Sequence, residues 1–467
     1  MKISAFSAVT SALLTGALLV TSCASDVETV INDDPTGDAI SFSPVVGHST
    51  RAAETNINNL GNFAVVARGM HQDGVLYDNF LIGSGTAGEV ATREGTSSIW
   101  KLGRNVYWPS TFDQVMFFAY TTLKSGDSGA ALYSGSTFGF ENKNPFINGF
   151  APKKADLTVS SDDVATVWAD GAEQKDLLVA YTKQERTTSP TTVALNFKHA
   201  LTQISITAKQ KDKVSSDERV VKIKGAWIVN AAESGKLVGD LQYNQSDKTT
   251  DDKLSWAGTG KAAYGSFYNQ ILTLNDTDDM DLLRPEGSEK GSLMLVPEDL
   301  TAWDKTEDNT GAYILLLCRV ELKHAGDTHQ GDANMDDIFA SNGYHYHQLF
   351  PVNAEKYDAA EYGFVCVPLL STWNTEGLGK HYTYNLDICG ETTGAGFYPP
   401  SFTEEEISKL IPVGAKVGNE NMSVVTTIPT GKSVGDPVLD EPIKFSVTVQ
   451  DWVTPATDDW TPGNGDF

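Results

Sequence analysis

The sequence is short of the features that usually disclose a function at once. It has four cysteines in 467 residues. Cys23, Cys318, Cys366 and Cys389 form no CxxC pair, so neither a disulfide framework nor a cysteine-bound structural zinc is expected. Basic residues are outnumbered, 35 Lys and Arg against 61 Asp and Glu, for a formal charge of −26. A surface of that sign repels phosphate backbones, which excludes nucleic acid as a partner. Catalytic signatures are missing: there is no GxSxG, no HExxH, no phosphate-cradling loop and no dinucleotide fingerprint. Carboxylates are so numerous that some pair could always be imagined as a glycosidase couple, and that pairing is therefore uninformative. No catalytic residue, no resident metal and no cofactor are expected. Helical periodicity is scarce too. Only Thr403 to Leu410 reads as a helix, with Thr403 and Glu406 at capping-box spacing.

What is present begins at the N-terminus. Lys2 precedes an apolar stretch from Ala5 to Val20, too short and too rich in Ser, Thr and Gly for a comfortable membrane span. It ends in Val20-Thr21-Ser22-Cys23. This resembles the lipobox of bacterial lipoproteins, in which the thiol is acylated and the peptide bond before it is cut. The expectation is a signal peptide over 1–22, a lipid anchor on Cys23 and a polar tether over 23–39.

Beyond the tether the pattern is short β runs separated by turn residues, the signature of β-sandwiches. Ile40 to Val45 is a short alternating strand, and its Pro44 predicts a place at a sheet border. Asn105 to Pro109 reads as a strand that stops at a proline, and Gln114 to Tyr120 as a fully buried one. Thr187-Thr188-Ser189-Pro190 punctuates the chain, giving an expected N-terminal domain over 40–190 and a C-terminal domain over 191–452. In the closing strand Ile443, Phe445, Val447 and Val449 share one face. Residues 453–467 read as a flexible tail.

Metal ions and sugars are the two binding chemistries for which the sequence offers candidate residues. His345-Tyr346-His347 would place two imidazoles on one strand face, as a metal site requires, but the cheaper expectation is that Tyr346 points inward and both histidines face solvent. Acidic stretches at Asp276 to Asp281 and Asp332 to Asp337 begin like calcium loops but lack the glycine and terminal glutamate. Tryptophans at 100, 108, 168, 256, 303, 373, 452 and 460 could form a sugar-stacking platform, although most sit in strand patterns where core packing is expected.

Several motifs occur in a telling order: Val106-Tyr107-Trp108-Pro109, Phe117-Phe118-Ala119-Tyr120, Leu195-Asn196-Phe197-Lys198-His199-Ala200-Leu201, Leu295-Val296-Pro297, Gly379 to Leu386 and Val449-Gln450-Asp451-Trp452. With the lipobox and a Thr-Arg-Ala site, this order resembles the fimbrillin family of type V pilus subunits. The resemblance implies an all-β fold, two transthyretin-like β-sandwich domains in tandem. It also implies export as a lipoprotein to the outer membrane, then cleavage by a trypsin-like protease between Arg51 and Ala52 and release to the fimbrium. Strand exchange would follow. Loss of Ile40, Phe42 and Val45 would open a groove for a donor strand carrying Ile443, Phe445, Val447 and Val449 from the next subunit. The implied partners are other pilus subunits joined head to tail, the processing protease, the membrane lipid, and surface ligands on host or bacterial cells. The implied role is adhesive and non-enzymatic, as stalk, tip or accessory subunit. The alternative is a surface-anchored glycan-binding lipoprotein, for which an exposed row of aromatic rings would speak.

Overall fold

The computed structural model describes residues 39–46, 60–70, 76–109, 112, 114–123, 132, 135–152, 174, 176–185, 192–210, 218–243, 250–283, 291–325, 338–340, 344–352, 357–374 and 378–451. The described residues are almost entirely β. The chain opens with β1 (Ser41–Val46), β2 (Phe63–Met70), β3 (Leu76–Ile82), β4 (Glu89–Arg93), β5 (Trp100–Leu102) and β6 (Gln114–Leu123). It continues with β7 (Thr137–Glu141), β8 (Asn144–Phe150), β9 (Asp176–Glu185), β10 (Thr192–His199), β11 (Thr202–Lys209), β12 (Glu218–Ala231) and β13 (Ser234–Tyr243). Then come β14 (Thr250–Thr259), β15 (Ala262–Thr273), β16 (Met280–Asp281), β17 (Leu293–Leu295), β18 (Tyr313–Ala325), β19 (Ile338–Ala340) and β20 (Tyr344–Phe350). The last strands are β21 (Glu361–Pro368), β22 (Lys380–Asp387), β23 (Lys416–Val417), β24 (Glu420–Asn421), β25 (Ser423–Val425) and β26 (Lys444–Asp451). One short helix, α1 (Glu404–Ser408), starts where the capping box indicated, with Thr403 and Glu406 bonded to each other's backbone.

The first sheet runs β3-β2-β4-β5-β1-β10-β9-β6, and β2 also pairs with β6. Seven strands therefore form a closed hydrogen-bonded circuit, with β3 outside it. Residues from facing strands meet inside: the Phe63 ring of β2 lies 5.2 Å from Phe197 of β10 and 6.0 Å from Phe42 of β1. β10 shows why this face forms, since Val193, Leu195 and Phe197 are buried while Thr192, Ala194 and Asn196 between them are exposed. From Val115 to Tyr120 β6 is apolar without interruption because it is covered on both sides. Val115, Phe117 and Ala119 face the inner core, and Met116, Phe118 and Tyr120 face outward into a second core.

That second core is closed by a four-stranded sheet, β14-β13-β8-β7. Phe138 of β7 stacks on Tyr120 at 4.8 Å, and the Trp256 indole of β14 donates to the Ala200 carbonyl at 2.6 Å. The third core lies between the sheet β16-β11-β22-β26 and the sheet β15-β12-β18-β20-β19, to which β21 and β25 attach. On the far side of β12, β18 and β21, Leu410, Ile411 and Ala415 beyond α1 cover Trp227 and Phe364.

Sheets run across the expected boundary at 190. β10 belongs to the first circuit, and β8 pairs with β13. Only Ala200 and Leu201 separate β10 from β11, both fully buried, with the Ala200 amide donating to Leu177 at 2.8 Å. Beside this junction the His199 imidazole and the Asp176 carboxylate, both buried, lie 2.8 Å apart.

Three local expectations are corrected. Asn105 to Pro109 forms no strand; instead the Val106 carbonyl accepts the Ile40 amide at 2.7 Å, pinning the start of β1. His345 and His347 are buried on β20, as is Phe350 at its end, and Tyr346 faces outward, its ring 5.8 Å from the Lys222 ammonium. The alternation is as expected and its phase is inverted, since the face of β20 that carries His345 and His347 is the covered one. Finally, β1 is no border strand.

Candidate strand-exchange site

β1 lies between β10 and β5. It runs parallel to β10 over its whole length, Ser41 opposite Thr192 through Val46 opposite Phe197, with Val45 opposite Asn196. On its other side Ser41 and Phe42 pair with β5, and among the described residues Ser43 to Val46 have no strand neighbour there. That one-sided ladder is what accommodates Pro44, which has no N–H to give. Ile40 is 3% exposed and Phe42 is completely buried. The Phe42 ring is held edge-on between Phe63 and Phe117, each 6.0 Å away. Trp100 of β5 closes the end of the core, its indole donating to the Gly61 carbonyl at 2.8 Å. On the outer face the Ser41 and Thr192 hydroxyls are 3.0 Å apart.

β26 sits in the opposite situation. It is the end strand of its sheet and pairs antiparallel with β22 over all eight residues. Phe445, Val447 and Val449 lie opposite Leu386, Tyr384 and Tyr382, all three buried. Directly opposed residues share a face, so the apolar side of β26 continues the core-facing side of β22. Yet it overhangs the core: Phe445, Val447 and Val449 are 40%, 41% and 46% exposed. Ile443, just before the strand, is buried in the third core.

The strands therefore bring Ile40 and Phe42 into one buried site, and place Phe445, Val447 and Val449 together on an uncovered edge. Cys23, Arg51 and Ala52 lie outside the described residues, as does the tail over 453–467. What the sequence reading missed is the acceptor wall. Val193, Leu195 and Phe197 were placed beyond the boundary, although their strict alternation marks a half-buried strand like β1.

Other candidate chemistry loses ground. Trp100, Trp227, Trp256, Trp303 and Trp373 are buried and Trp108 is half-buried against Phe117, so among the described residues no tryptophan is exposed. The two fully buried carboxylates among the described residues are engaged with cations or imidazole, Asp176 with His199 and Glu321 with Arg319 and Lys222. Cys318, Cys366 and Cys389 are free, buried thiols; burial raises all three, Cys389 to about 12.

A family model described as fimbrillin-like matches residues 50–310, more than half of the chain. The chain belongs to the fimbrillin-like family. Solved structures similar to this fimbrillin-like chain include a fimbrial protein from Bacteroides vulgatus, 16% identical, with 74% of this chain and 94% of that one covered and a TM-score of 0.39. Another is a candidate cell adhesion protein from Parabacteroides distasonis, 11% identical, with coverage of 89% and 97% and a TM-score of 0.37. A third, a candidate cell adhesion protein from Bacteroides eggerthii, is 10% identical at the same coverage and TM-score. No curated protein sequence matches the chain.

Proposed function

We propose that this fimbrillin-like chain is a non-enzymatic subunit of a surface fimbria, exported as a lipoprotein anchored through Cys23 to the outer membrane and taking part in cell adhesion. In this reading, cleavage between Arg51 and Ala52 removes the anchor and β1 together. The loss strips Ile40 and Phe42 from the inner core and opens two backbone edges at once, on β10 and on β5. A β-strand from a second subunit then fills the gap by augmentation. Identical head-to-tail contacts that do not close give a filament.

The observation that supports this reading best is the asymmetry of the two end strands. The first is deeply buried yet lies before the expected cut, while the last carries its apolar face uncovered at a sheet edge. A monomer gains nothing from an exposed Phe-Val-Val row, whereas a donor strand requires one.

Limited trypsin digestion of the full chain, followed by N-terminal sequencing and gel analysis of unboiled samples, tests the proposal. The expected product starts at Ala52 and forms a ladder of oligomers. A chain cut there that stays monomeric at high concentration would sink the proposal.

A further inference from the structure

Two buried side chains on neighbouring strands hold hydrogen-bond donors that the fold does not use. Cys318 of β18 pairs with Gly363 of β21, so the next step of that antiparallel ladder sets Arg319 beside Tyr362 on one face. Both side chains are fully buried, on the face that Leu410, Ile411 and Ala415 cover. A guanidinium carries five N–H bonds. In Arg319 the Nε–H goes to Glu321 at 2.6 Å, and Nη1 donates to the Asp358 and Glu361 carbonyls. Both N–H bonds of Nη2 remain, with no acceptor among the described residues. The Tyr362 hydroxyl has no partner among them either, and burial holds it protonated, as an O–H donor. Charge is unbalanced in the same direction. Arg319 and Lys222 share the one carboxylate of Glu321, Lys222 at 2.7 Å. Glu361, nearby, meets Arg319 through its main-chain carbonyl, while its carboxylate accepts from Gln348 at 3.0 Å.

We propose that the Arg319 Nη2 and the Tyr362 hydroxyl together hold a halide ion, chloride in a physiological medium. Three donors and a surplus positive charge match a monovalent acceptor. Left unmade, those hydrogen bonds would each cost the desolvation of a buried donor, more for one on a charged group. A water molecule is the competing occupant and fits less well. It accepts from two donors but adds two O–H bonds of its own. Acceptors are already scarce there, since Glu321 takes bonds from Arg319, Lys222 and the Tyr357 hydroxyl, the last at 2.8 Å. A halide accepts from all three donors and adds none. Enclosure sets a size limit as well. Tyr362 lies opposite Val424 of β25, and Val417, Met422 and Val424 pack against the same core. A bare ion fits under that cover, where a ligand trailing to the surface does not. Held there, the ion ties β18 to β21 at the place where their ladder stops.

Two measurements on the full, uncut chain test the site, and neither depends on strand exchange. In the first, urea midpoints are read at constant ionic strength while chloride replaces gluconate, which removes general screening from the comparison. The midpoint should rise with chloride and level off as a single site fills. Tyr362→Phe keeps the ring and deletes one donor, so it should weaken the apparent chloride affinity by about tenfold. Glu321→Gln keeps the shape but removes the carboxylate that competes for the two cations, so it should tighten chloride binding. A wild-type midpoint indifferent to chloride would overturn the site, and so would a chloride effect that Tyr362→Phe leaves unchanged. In the second, crystals of the unaltered chain are soaked in bromide. An anomalous peak within hydrogen-bond distance of both Arg319 Nη2 and the Tyr362 hydroxyl is expected. Density there without an anomalous signal would assign the place to water and overturn the proposal. Peaks at surface cations alone would mean an adventitious ion only, with the same consequence.

Discussion

Phe42 and Phe445 carry the same side chain in opposite circumstances, and their substitution should separate cleanly. Phe42 is fully buried among aromatic rings, so Phe42→Ala leaves a cavity and should cost about 3–5 kcal/mol in the uncut chain. Phe445→Ala removes a half-exposed ring and should cost less than about 1 kcal/mol there. Urea midpoints of the two variants measure the difference. A second residue-scale expectation concerns Glu321, completely buried on β18. Burial pushes its carboxyl up, but the Lys222 ammonium at 2.7 Å and the Arg319 guanidinium at 2.6 Å more than reverse that, so the net shift is downward. A lowered carboxyl contributes stability that is complete above the ordinary glutamate value of about 4.3 and is lost as the pH falls through the lowered folded-state value. Denaturation midpoints should therefore fall on acidification toward pH 3, and fall less in Glu321→Gln. Arg319→Met, which strips one of the partners from a buried charge, should cost about 3–5 kcal/mol at neutral pH. The three native thiols should be inert to thiol reagents at pH 8 until the chain is unfolded, since burial both shields them and disfavours the thiolate.

Among elements, β26 is held on one side only and presents its side chains to water, whereas β12 and β18 are paired on both sides and covered on both faces. Backbone amides of β26 should exchange with deuterium markedly faster than those of β12 and β18 in the uncut monomer, read by mass spectrometry of peptic fragments. The comparison between sequence and fold is instructive at this scale. β6 and β26 are legible because one carries a continuous apolar run and the other a clean alternation. β4, β5, β7 and β8 are not: β5 has three residues, and β8 contains a proline and a left-handed glycine, Gly149. The place of β1 was misread for a physical reason. Pro44 excludes one N–H, which signals an edge, and the strand satisfies that signal by having, among the described residues, no partner beside Ser43 to Val46 on the β5 side while sitting inside the circuit. Its real neighbour β10 lies about 150 residues away in parallel register, a pairing with no local signature. The candidate donor was visible from alternation alone; its exposure, which makes it a candidate, was not.

For the whole molecule, charge is the dominant collective property. The full chain carries a formal −26, and copies that remain strongly acidic after loss of residues 1–51 repel one another before any strand can dock. Raising ionic strength from about 0.01 to 0.15 M shortens the screening length from about 30 to 8 Å, so the cut chain should assemble faster with added salt, as followed by light scattering. A rate that falls with salt would point to attraction between opposite patches instead. The short junction at Ala200 and Leu201 has a mechanical meaning. In the proposed filament a neighbour inserted beside β10 would pull along β10, and β10 passes through two clamped residues straight into β11. β11 in turn lies parallel to β22 over seven residues. Tension entering along β10 would thus pass to β11 and β22 along strands stressed lengthwise, where many hydrogen bonds must shear together, with no loop between β10 and β11 to pay out slack.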